Sequence, residues 1–374
     1  MPPLSMLIKP ASSACNLRCK YCFYSAIAKN NKVPYRGMLS EDMLELMVKK
    51  ALEFADYYCG FVFQGGEPTL VRLKFFKKLI EFQKKYNTKR VVINNALQTN
   101  GYTIDEEWCR FLAENNFLVG LSLDGPQEIH NLNRKTVSGG DTYNRVMKTA
   151  SLFDKFKVQF NILSVVTSLT ARKIEKIYNF YKKNGFRYLQ FIPCLEPLEI
   201  ERGSTDFYLS PETYSKFLCQ LFDLWFDDFK KGEYISIRQF DNYVYMVAGR
   251  TPEACNMNGK CSVQFVVEGD GAVYPCDFYV YDRWQIGTIG EKNSLAEMIS
   301  GNIAKSFVAE SVKLPEKCRA CQYVTLCRNG CKRDRILNSG GDMQTAYCKS
   351  YKEFFKYTLP RLREAFLITK RMRM

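Results

Sequence analysis

Short apolar runs alternate with longer amphipathic segments over roughly the first 200 residues of the chain. Six of these runs are rich in β-branched and aromatic residues and have the length of buried strands. They cover residues 6–10, 60–64, 91–97, 118–123, 159–166 and 188–192. The pattern therefore predicts six buried strands that are separated by long connections.

The connections between these runs carry apolar residues at helical spacing. Ser40 is a good N-cap, and Glu41 and Asp42 suit a helix N-terminus, where negative charge is favourable. Apolar positions then recur every three or four residues as far as Ala51. Similar patterns predict helices over 73–86, 106–115, 143–156 and 172–184, with a further core-packing helix over 211–231.

Six strand–helix units predict an α/β fold, in which a parallel sheet curls into a partial barrel. Functional side chains of such sheets gather at the carboxyl ends of the strands. After about residue 235, cysteines become dense, glycines frequent and periodicity weak. We therefore predict two domains, a barrel over residues 1–234 and a cysteine-rich domain with a C-terminal helix over residues 235–374.

Composition and charge narrow the possible classes of protein. The net charge is +15, but the basic residues are dispersed as pairs on helix faces, and none alternate with aromatic residues as in an RNA-binding segment. We therefore expect no nucleic-acid partner. The sequence shows neither a signal peptide nor an apolar run long enough to span a bilayer. We expect a cytoplasmic protein without membrane contact, whose 15 cysteines indicate metal binding rather than disulfides.

Three cysteines follow the first predicted strand at C-x3-C-x2-C spacing. Cys15, Cys19 and Cys22 can hold three corners of a [4Fe–4S] cube and leave one iron without a protein ligand. A structural zinc site needs a fourth cysteine or histidine nearby, and the next candidates are Cys59 and the only histidine, His130. The spacing therefore favours a cluster with one open iron.

A glycine pair and an acid directly follow the second predicted strand. Gly65 and Gly66 allow the backbone to approach a ligand closely. The carboxylate of Glu67 can accept hydrogen bonds from an ammonium group. The alternative is a tight turn with an exposed acid.

Polar residues also end or interrupt the later strands. Gln98 ends the third strand, Ser122 and Asp124 end the fourth, and Asn161 and Ser164 lie on the fifth. Residues two apart on a strand share a face, so we expect these side chains to reach a ligand at the mouth of the barrel. A turn aspartate and satisfied core side chains are the alternatives.

Eight further cysteines follow in the second half of the chain. They are Cys255, Cys261, Cys276, Cys318, Cys321, Cys327, Cys331 and Cys348. Eight thiolates suffice for two fully ligated [4Fe–4S] clusters. Two zinc sites would use the same number and are the alternative.

These motifs together resemble the radical S-adenosylmethionine (SAM) superfamily with a SPASM extension. The resemblance implies a partial (β/α)6 barrel of the TIM type, SAM bound at the open iron, and three [4Fe–4S] clusters. It assigns Gly65, Gly66 and Glu67 to the amino group of SAM. From their positions on the strands, we expect Gln98, Ser122, Asp124 and Asn161 to contact the same cofactor. The first auxiliary cluster would take Cys255, Cys261, Cys276 and Cys331, and the second Cys318, Cys321, Cys327 and Cys348.

Within that superfamily the chain is most similar to the anaerobic sulfatase-maturating enzymes. The similar segments are 8–13, 63–69, 97–101, 130–134 and 273–279. The resemblance implies that a 5′-deoxyadenosyl radical oxidises Cys or Ser in a sulfatase Cys/Ser-x-Pro-x-Arg motif to Cα-formylglycine. Asp277 would act as the catalytic base. Tyr24, beside the cysteine loop, is a candidate contact to cofactor or substrate, with core packing as the alternative.

The implied partners are an unfolded or nascent sulfatase polypeptide and an electron donor such as flavodoxin or ferredoxin. Other reactions of SPASM enzymes on peptides remain alternatives, namely thioether crosslinking, epimerisation and other oxidations. A radical RNA-modifying enzyme and a non-catalytic zinc or cluster scaffold are more distant alternatives. The target side chain, Cys or Ser, is not readable from the sequence.

Overall fold

The computed structural model describes residues 3–372. Its twelve strands are β1 Leu4–Ile8, β2 Tyr58–Phe63, β3 Val92–Thr99, β4 Leu118–Ser122, β5 Gln159–Val166, β6 Tyr188–Pro193, β7 Ser236–Ile237, β8 Val266–Val267, β9 Ala272–Tyr274, β10 Gly287–Thr288, β11 Arg335–Leu337 and β12 Met343–Thr345. All six predicted strands are present, and each boundary differs from the prediction by at most two residues.

The first eight helices include all of those predicted among the strands. They are α1 Phe23–Lys29, α2 Glu41–Phe54, α3 Arg72–Tyr86, α4 Glu106–Glu114, α5 Gln127–Asn133, α6 Tyr143–Phe156, α7 Ser168–Arg172 and α8 Ile174–Lys183. Ser40 caps α2 as expected and accepts a hydrogen bond from the Met43 N–H at 3.2 Å. The helix predicted over 172–184 is present as α8. A short helix that was not predicted, α7, precedes it and begins after the capping box of Thr167.

The later helices are α9 Pro211–Lys230, α10 Arg238–Met246, α11 Leu295–Ser300, α12 Asn302–Val312, α13 Glu316–Arg319, α14 Val324–Cys327 and α15 Cys348–Met372. Ser210 caps α9 and Pro211 occupies its first turn, where a missing N–H costs nothing. None of the helices in residues 3–372 is both long and apolar enough to cross a membrane.

The described chain forms two compact units, each assembled from separated stretches of sequence. The first contains the chain up to residue 123 together with 130–160 and 262–307. The second contains 124–129, 161–261 and the chain from residue 308 onward. Each unit therefore combines residues from both halves of the sequence.

The first unit contains strands in the order β10-β9-β8-β1-β2-β3-β4. Pairing is parallel from β8 through β1 and β2 to β3 and β4, and antiparallel from β8 to β10. Ile8, Phe63 and Val267 therefore lie in register at one edge. The loops that follow β1, β2 and β3 leave the sheet at its carboxyl edge, where the sequence predicted the functional residues.

The second unit contains the parallel strands β5, β6 and β7, the hairpin β11–β12 and the helices α9, α10 and α15. Its core is aromatic: the ring of Phe222 lies 5.4 Å from that of Trp225, 5.3 Å from that of Phe240 and 5.9 Å from that of Phe354, centre to centre. Aromatic pairs at these separations add to the stabilisation that burial of their large surfaces gives. The C-terminal helix thus belongs to the core of this unit.

Candidate active site

The three N-terminal cysteines lie in the loop between β1 and α1, and a second segment holds this loop in place. Arg18 N–H donates to the Lys135 carbonyl at 2.8 Å, and Lys20 N–H donates to the Asn133 carbonyl at 3.0 Å. The guanidinium carbon of Arg134 lies 5.4 Å from the centre of the Tyr21 ring. The segment 130–134, which the sequence singled out, therefore supports the cysteine loop.

Gly65 and Gly66 bring the end of β2 against the same loop. Gly66 N–H donates to the Ser12 carbonyl at 2.9 Å, and Glu67 N–H donates to the Ala14 carbonyl at 2.8 Å. A Cβ atom on Gly66 would lie 1.9 Å from the Ala14 carbonyl oxygen. Only glycine therefore permits this approach of backbone to backbone.

Glu67 is buried, and protein donors surround its carboxylate. Oε1 accepts from the hydroxyls of Thr69 and Thr99, both at 2.7 Å, and from Thr69 N–H at 3.1 Å. Oε2 accepts from Asn100 N–H at 2.8 Å. Burial raises the pKa of Glu67 and these hydrogen bonds oppose the rise. The structure thus rules out an exposed turn acid and makes Glu67 a link between the ends of β2 and β3.

Cys15 lies beside this link. Asn100 Nδ2 lies 3.8 Å from Cys15 Sγ and donates to Asn16 Oδ1 at 2.8 Å. Burial raises the pKa of Cys15 to about 12. A free thiol here is therefore protonated at neutral pH, and a bound cation is required to hold the thiolate.

The remaining predicted polar residues fall in both units. Gln98 is half-buried on β3 and Ser122 is buried at the end of β4, both in the first unit. In the second unit, Asp124 is fully buried and accepts from Val165 N–H at 3.0 Å. The Asn161 Oδ1 and Ser164 Oγ atoms are buried and have no hydrogen-bond partner among the described residues.

Asp277 lies between a cation and an amide in the first unit. Lys9 Nζ lies 2.5 Å from Asp277 Oδ1, and Gln64 Nε2 donates to Oδ2 at 2.5 Å. The same ammonium group lies 3.5 Å from the centre of the Tyr24 ring. The Tyr24 hydroxyl donates to Glu268, which is fully buried. Burial and Glu268 hold the pKa of Tyr24 well above its usual range.

Sequence reasoning missed three members of this group, Lys9, Gln64 and Glu268. Lys9 and Glu268 directly follow the buried strands β1 and β8, and Gln64 follows β2. Charged residues are almost never fully buried unless they are paired. A charged residue immediately after an apolar strand was the feature that could have indicated Lys9 and Glu268. The sequence alone does not show which residues they pair with.

Four of the C-terminal cysteines meet in the second unit, and their ligation of one cluster stays a prediction. Cys318, Cys321, Cys327 and Cys348 line a single cavity. Burial raises the pKa of Cys327 to about 12. No three His, Cys, Asp or Glu side chains within residues 3–372 converge closely enough to hold a single ion. A four-iron cube separates its ligands by the width of the cluster and does not require such convergence.

The other four cysteines are divided between the units. Cys276 directly precedes Asp277 in the first unit, and Cys255, Cys261 and Cys331 belong to the second. Cys261 N–H donates to Ser311 Oγ at 2.8 Å, and Cys331 Sγ accepts from Arg333 N–H at 3.4 Å. Their joint ligation of one cluster remains a prediction.

Two family models match the chain. The radical SAM superfamily model matches residues 10–181, and the SPASM iron–sulfur cluster-binding domain model matches residues 255–322. A cysteine-type anaerobic sulfatase-maturating enzyme of Clostridium perfringens (strain 13) is 52% identical over 363 residues, which cover 97% of this chain and 98% of the relative. The chain belongs to the anaerobic sulfatase-maturating enzymes.

Other relatives of this family support the assignment. A serine-type anaerobic sulfatase-maturating enzyme of Bacteroides thetaiotaomicron is 33% identical and covers 96% of this chain and 90% of its own length. The structure of native anSMEcpe with bound AdoMet and the Cp18Cys peptide matches with a TM-score of 0.93 at 49% identity, covering 98% of this chain and all of that one. The predicted fold class, a radical SAM barrel with a SPASM domain, is confirmed.

The donor sets of this sulfatase-maturating enzyme fit its cofactors, SAM and iron–sulfur clusters. In the first unit, the backbone of Gly66 packs directly against the cysteine loop. Glu67 Oε2 accepts one hydrogen bond among the described residues, which leaves it able to accept another from a ligand. In the second unit, Asn161 and Ser164 present unpartnered buried oxygens. SuiB of Streptococcus suis, at 16% identity and a TM-score of 0.67, shares the fold alone.

Proposed function

We propose that this enzyme oxidises the cysteine of a sulfatase Cys-x-Pro-x-Arg segment to Cα-formylglycine in the cytoplasm. The observation that carries this choice of target is the pattern of identities. Cysteine-type relatives share 47–52% of residues with the chain, whereas serine-type relatives share 30–33%. The residues that contact the target side chain should therefore be those of the cysteine-type enzymes, which suit a thiol, rather than those of the serine-type enzymes, which suit a hydroxyl.

Three [4Fe–4S] clusters are part of the proposal. Cys15, Cys19 and Cys22 hold the cluster that binds SAM, and the eight later cysteines hold two auxiliary clusters in the sets given above. Gly65, Gly66 and Glu67 bind the amino group of SAM, and Gln98, Ser122, Asp124 and Asn161 bind the rest of the cofactor. When bound, SAM and its reduced cluster supply the radical that removes a hydrogen atom from Cβ of the target residue.

Asp277 accepts the proton of the target thiol on its carboxylate. Lys9 and Gln64 support this role, because each contacts a different oxygen of Asp277 and together they fix the plane of the carboxylate. Tyr24 stays protonated and closes one side of Lys9. Its contact with cofactor or substrate remains part of the proposal.

The reaction needs an electron donor and an acceptor. A reduced flavodoxin or ferredoxin is the proposed donor for the N-terminal cluster. The substrate loses two electrons, one with the hydrogen atom and one after its thiol proton has left, and becomes a thioaldehyde. Water then adds to the thioaldehyde carbon and hydrogen sulfide leaves, which gives the aldehyde of formylglycine. The second electron requires an acceptor, and the auxiliary clusters are the candidates.

The test is anaerobic incubation of the reduced, reconstituted enzyme with SAM and matched peptides that carry Cys-x-Pro-x-Arg or Ser-x-Pro-x-Arg. We expect formylglycine from the cysteine peptide at a clearly higher rate, with about twelve irons per chain. Replacing the general base in Asp277→Asn should slow peptide oxidation about 100-fold or more while 5′-deoxyadenosine still forms.

Each part of the proposal has its own contrary result. Formation of 5′-deoxyadenosine without a modified peptide would reject the substrate. An equal or higher rate on the serine peptide would reject the cysteine target. Unchanged turnover of Asp277→Asn would remove Asp277 as the base, and about four or eight irons would reject three clusters.

A further inference from the structure

One side-chain amide points at a cysteine of the cavity in the second unit. Gln344 Nε2 lies 3.0 Å from Cys348 Sγ, and both residues line the cavity together with Cys318, Cys321 and Cys327. Two side-chain nitrogens beside the N-terminal cysteines lie farther from sulfur: Asn100 Nδ2 is 3.8 Å from Cys15 Sγ, and Arg134 Nη1 is 3.9 Å from Cys19 Sγ. The Gln344 contact is therefore the shortest of these three approaches of nitrogen to sulfur.

The hairpin β11–β12 fixes which end of the Gln344 amide faces the sulfur. Asn338 Oδ1 accepts from Gly340 N–H at 2.9 Å and from Asp342 N–H at 3.0 Å. Asn338 Nδ2 is consequently the end that donates to Gln344 Oε1, at 3.2 Å. Since its oxygen is engaged there, Gln344 presents its N–H₂ group to Cys348. Two backbone N–H groups thus determine the orientation of both amides.

Positive charge adds to this donor. The exposed residues Lys317 and Lys352 line the same cavity. A hydrogen bond or a cation beside a cluster thiolate stabilises the more negative, reduced cluster, and hydrogen bonds to sulfur are among the factors that set cluster potentials. The surroundings of this cavity therefore favour an electron acceptor.

We propose that Gln344 is a positioning residue that raises the reduction potential of the cluster held by Cys318, Cys321, Cys327 and Cys348. This rests on the proposed function, in which the substrate gives up a second electron after its hydrogen atom and thiol proton have left. The oxidised cluster accepts this one electron, and the substrate radical becomes the thioaldehyde. The Asn338–Gln344 pair makes this transfer more favourable.

The test is a redox titration of the reconstituted full-length chain, followed by electron paramagnetic resonance. The substitutions Cys15→Ala, Cys19→Ala and Cys22→Ala together remove the first cluster, so that only the auxiliary clusters titrate. Gln344→Leu removes the donor, and we expect the potential of one auxiliary cluster to shift to a more negative value at unchanged iron content. Gln220→Leu, an exposed change of the same kind on α9, is the matched control and should leave both potentials unchanged.

A second variant keeps the cysteine surroundings intact. Asn338→Asp retains the oxygen that accepts from Gly340 and Asp342 but replaces the donor to Gln344 with an oxygen. The Gln344 amide should then turn and present Oε1 to Cys348, which again lowers the potential. An unchanged potential in Gln344→Leu overturns the proposal. If that variant binds less iron, an unchanged potential in Asn338→Asp overturns it instead.

Peptide oxidation by the unaltered enzyme is measured alongside. If the unaltered enzyme does not oxidise the peptide, the proposed function fails, and the potentials of the variants still decide the role of Gln344. If the peptide is oxidised and the potentials do not move, the function stands and the inference about Gln344 is wrong.

Discussion

Gly66→Ala is the smallest substitution that should separate the cysteine loop from the end of β2. The added Cβ would lie 1.9 Å from the Ala14 carbonyl oxygen and 2.6 Å from the carbonyl carbon. Both atoms belong to the backbone, so no side-chain rotation can relieve the contact. The two segments must move apart by about 1 Å or more to restore an ordinary separation.

The hydrogen bonds that join the segments set the magnitude. The separation breaks the bonds from Gly66 N–H to Ser12 and from Glu67 N–H to Ala14, now 2.9 and 2.8 Å long. An unsatisfied buried donor costs about 1–3 kcal/mol, so two cost roughly 2–6 kcal/mol. About 2 kcal/mol of this cost, acting on the conformation that binds SAM, decreases the affinity for SAM about 30-fold.

Equilibrium binding of SAM to the reconstituted enzyme measures this loss, and iron content and urea unfolding are recorded beside it. Gly290→Ala is the matched control, because the nearest atom to a Cβ at that position lies 3.8 Å away. Gly290→Ala should bind SAM as the unaltered enzyme does. SAM affinity and stability of Gly66→Ala equal to those of Gly290→Ala would refute the argument from close approach.

Two further predictions concern buried charges. Lys9→Met leaves the Asp277 carboxylate without its ammonium partner, so the free energy of unfolding should fall by about 3 kcal/mol in urea titrations, and the double variant with Asp277→Asn should recover part of it. A double variant no more stable than Lys9→Met would contradict this pairing. Arg335→Leu removes the donor to four backbone carbonyls, those of Gly259, Ser311, Asn329 and Gly330. The free energy of unfolding should therefore fall by about 3 kcal/mol or more, and iron of the auxiliary clusters should be lost. Full iron content and an unchanged free energy of unfolding would contradict this prediction.

The sequence predicted those elements whose apolar pattern is long and local. The helix α6 begins and ends at the predicted residues because it buries one face at helical spacing. The strand β5 also has the predicted bounds, because it is a long run rich in apolar and β-branched residues. The strands β8 and β9 have only two and three residues, too few for a pattern to emerge. The helices α5 and α10 were not predicted either, because the first lies in a polar stretch and the second lies where helical periodicity in the sequence is weak.

The candidate site shows the same division. Cysteine spacing is local and identified the C-terminal cysteines as candidate ligands, but it would have grouped Cys331 with its neighbours. The set that lines the second-unit cavity was implied by the family resemblance and not by the spacing. The pair of Lys9 with Asp277 joins residues far apart in sequence, and the role of Glu67 as acceptor for Thr69, Thr99 and Asn100 depends on neighbouring strands. Such contacts depend on tertiary structure, which periodicity and spacing do not encode.

The pairing of β8 with β1 bears on how the nascent chain matures. Leu7 and Ile8 leave the ribosome early, whereas their partners Val266 and Val267 follow about 250 residues later. At bacterial elongation rates this interval lasts about 10–50 s, during which one edge of β1 lacks its neighbour. Unpaired strand edges invite wrong association. Until residues 266–267 have emerged, this edge of β1 is open to such association, and a chaperone that covers it would protect the nascent chain.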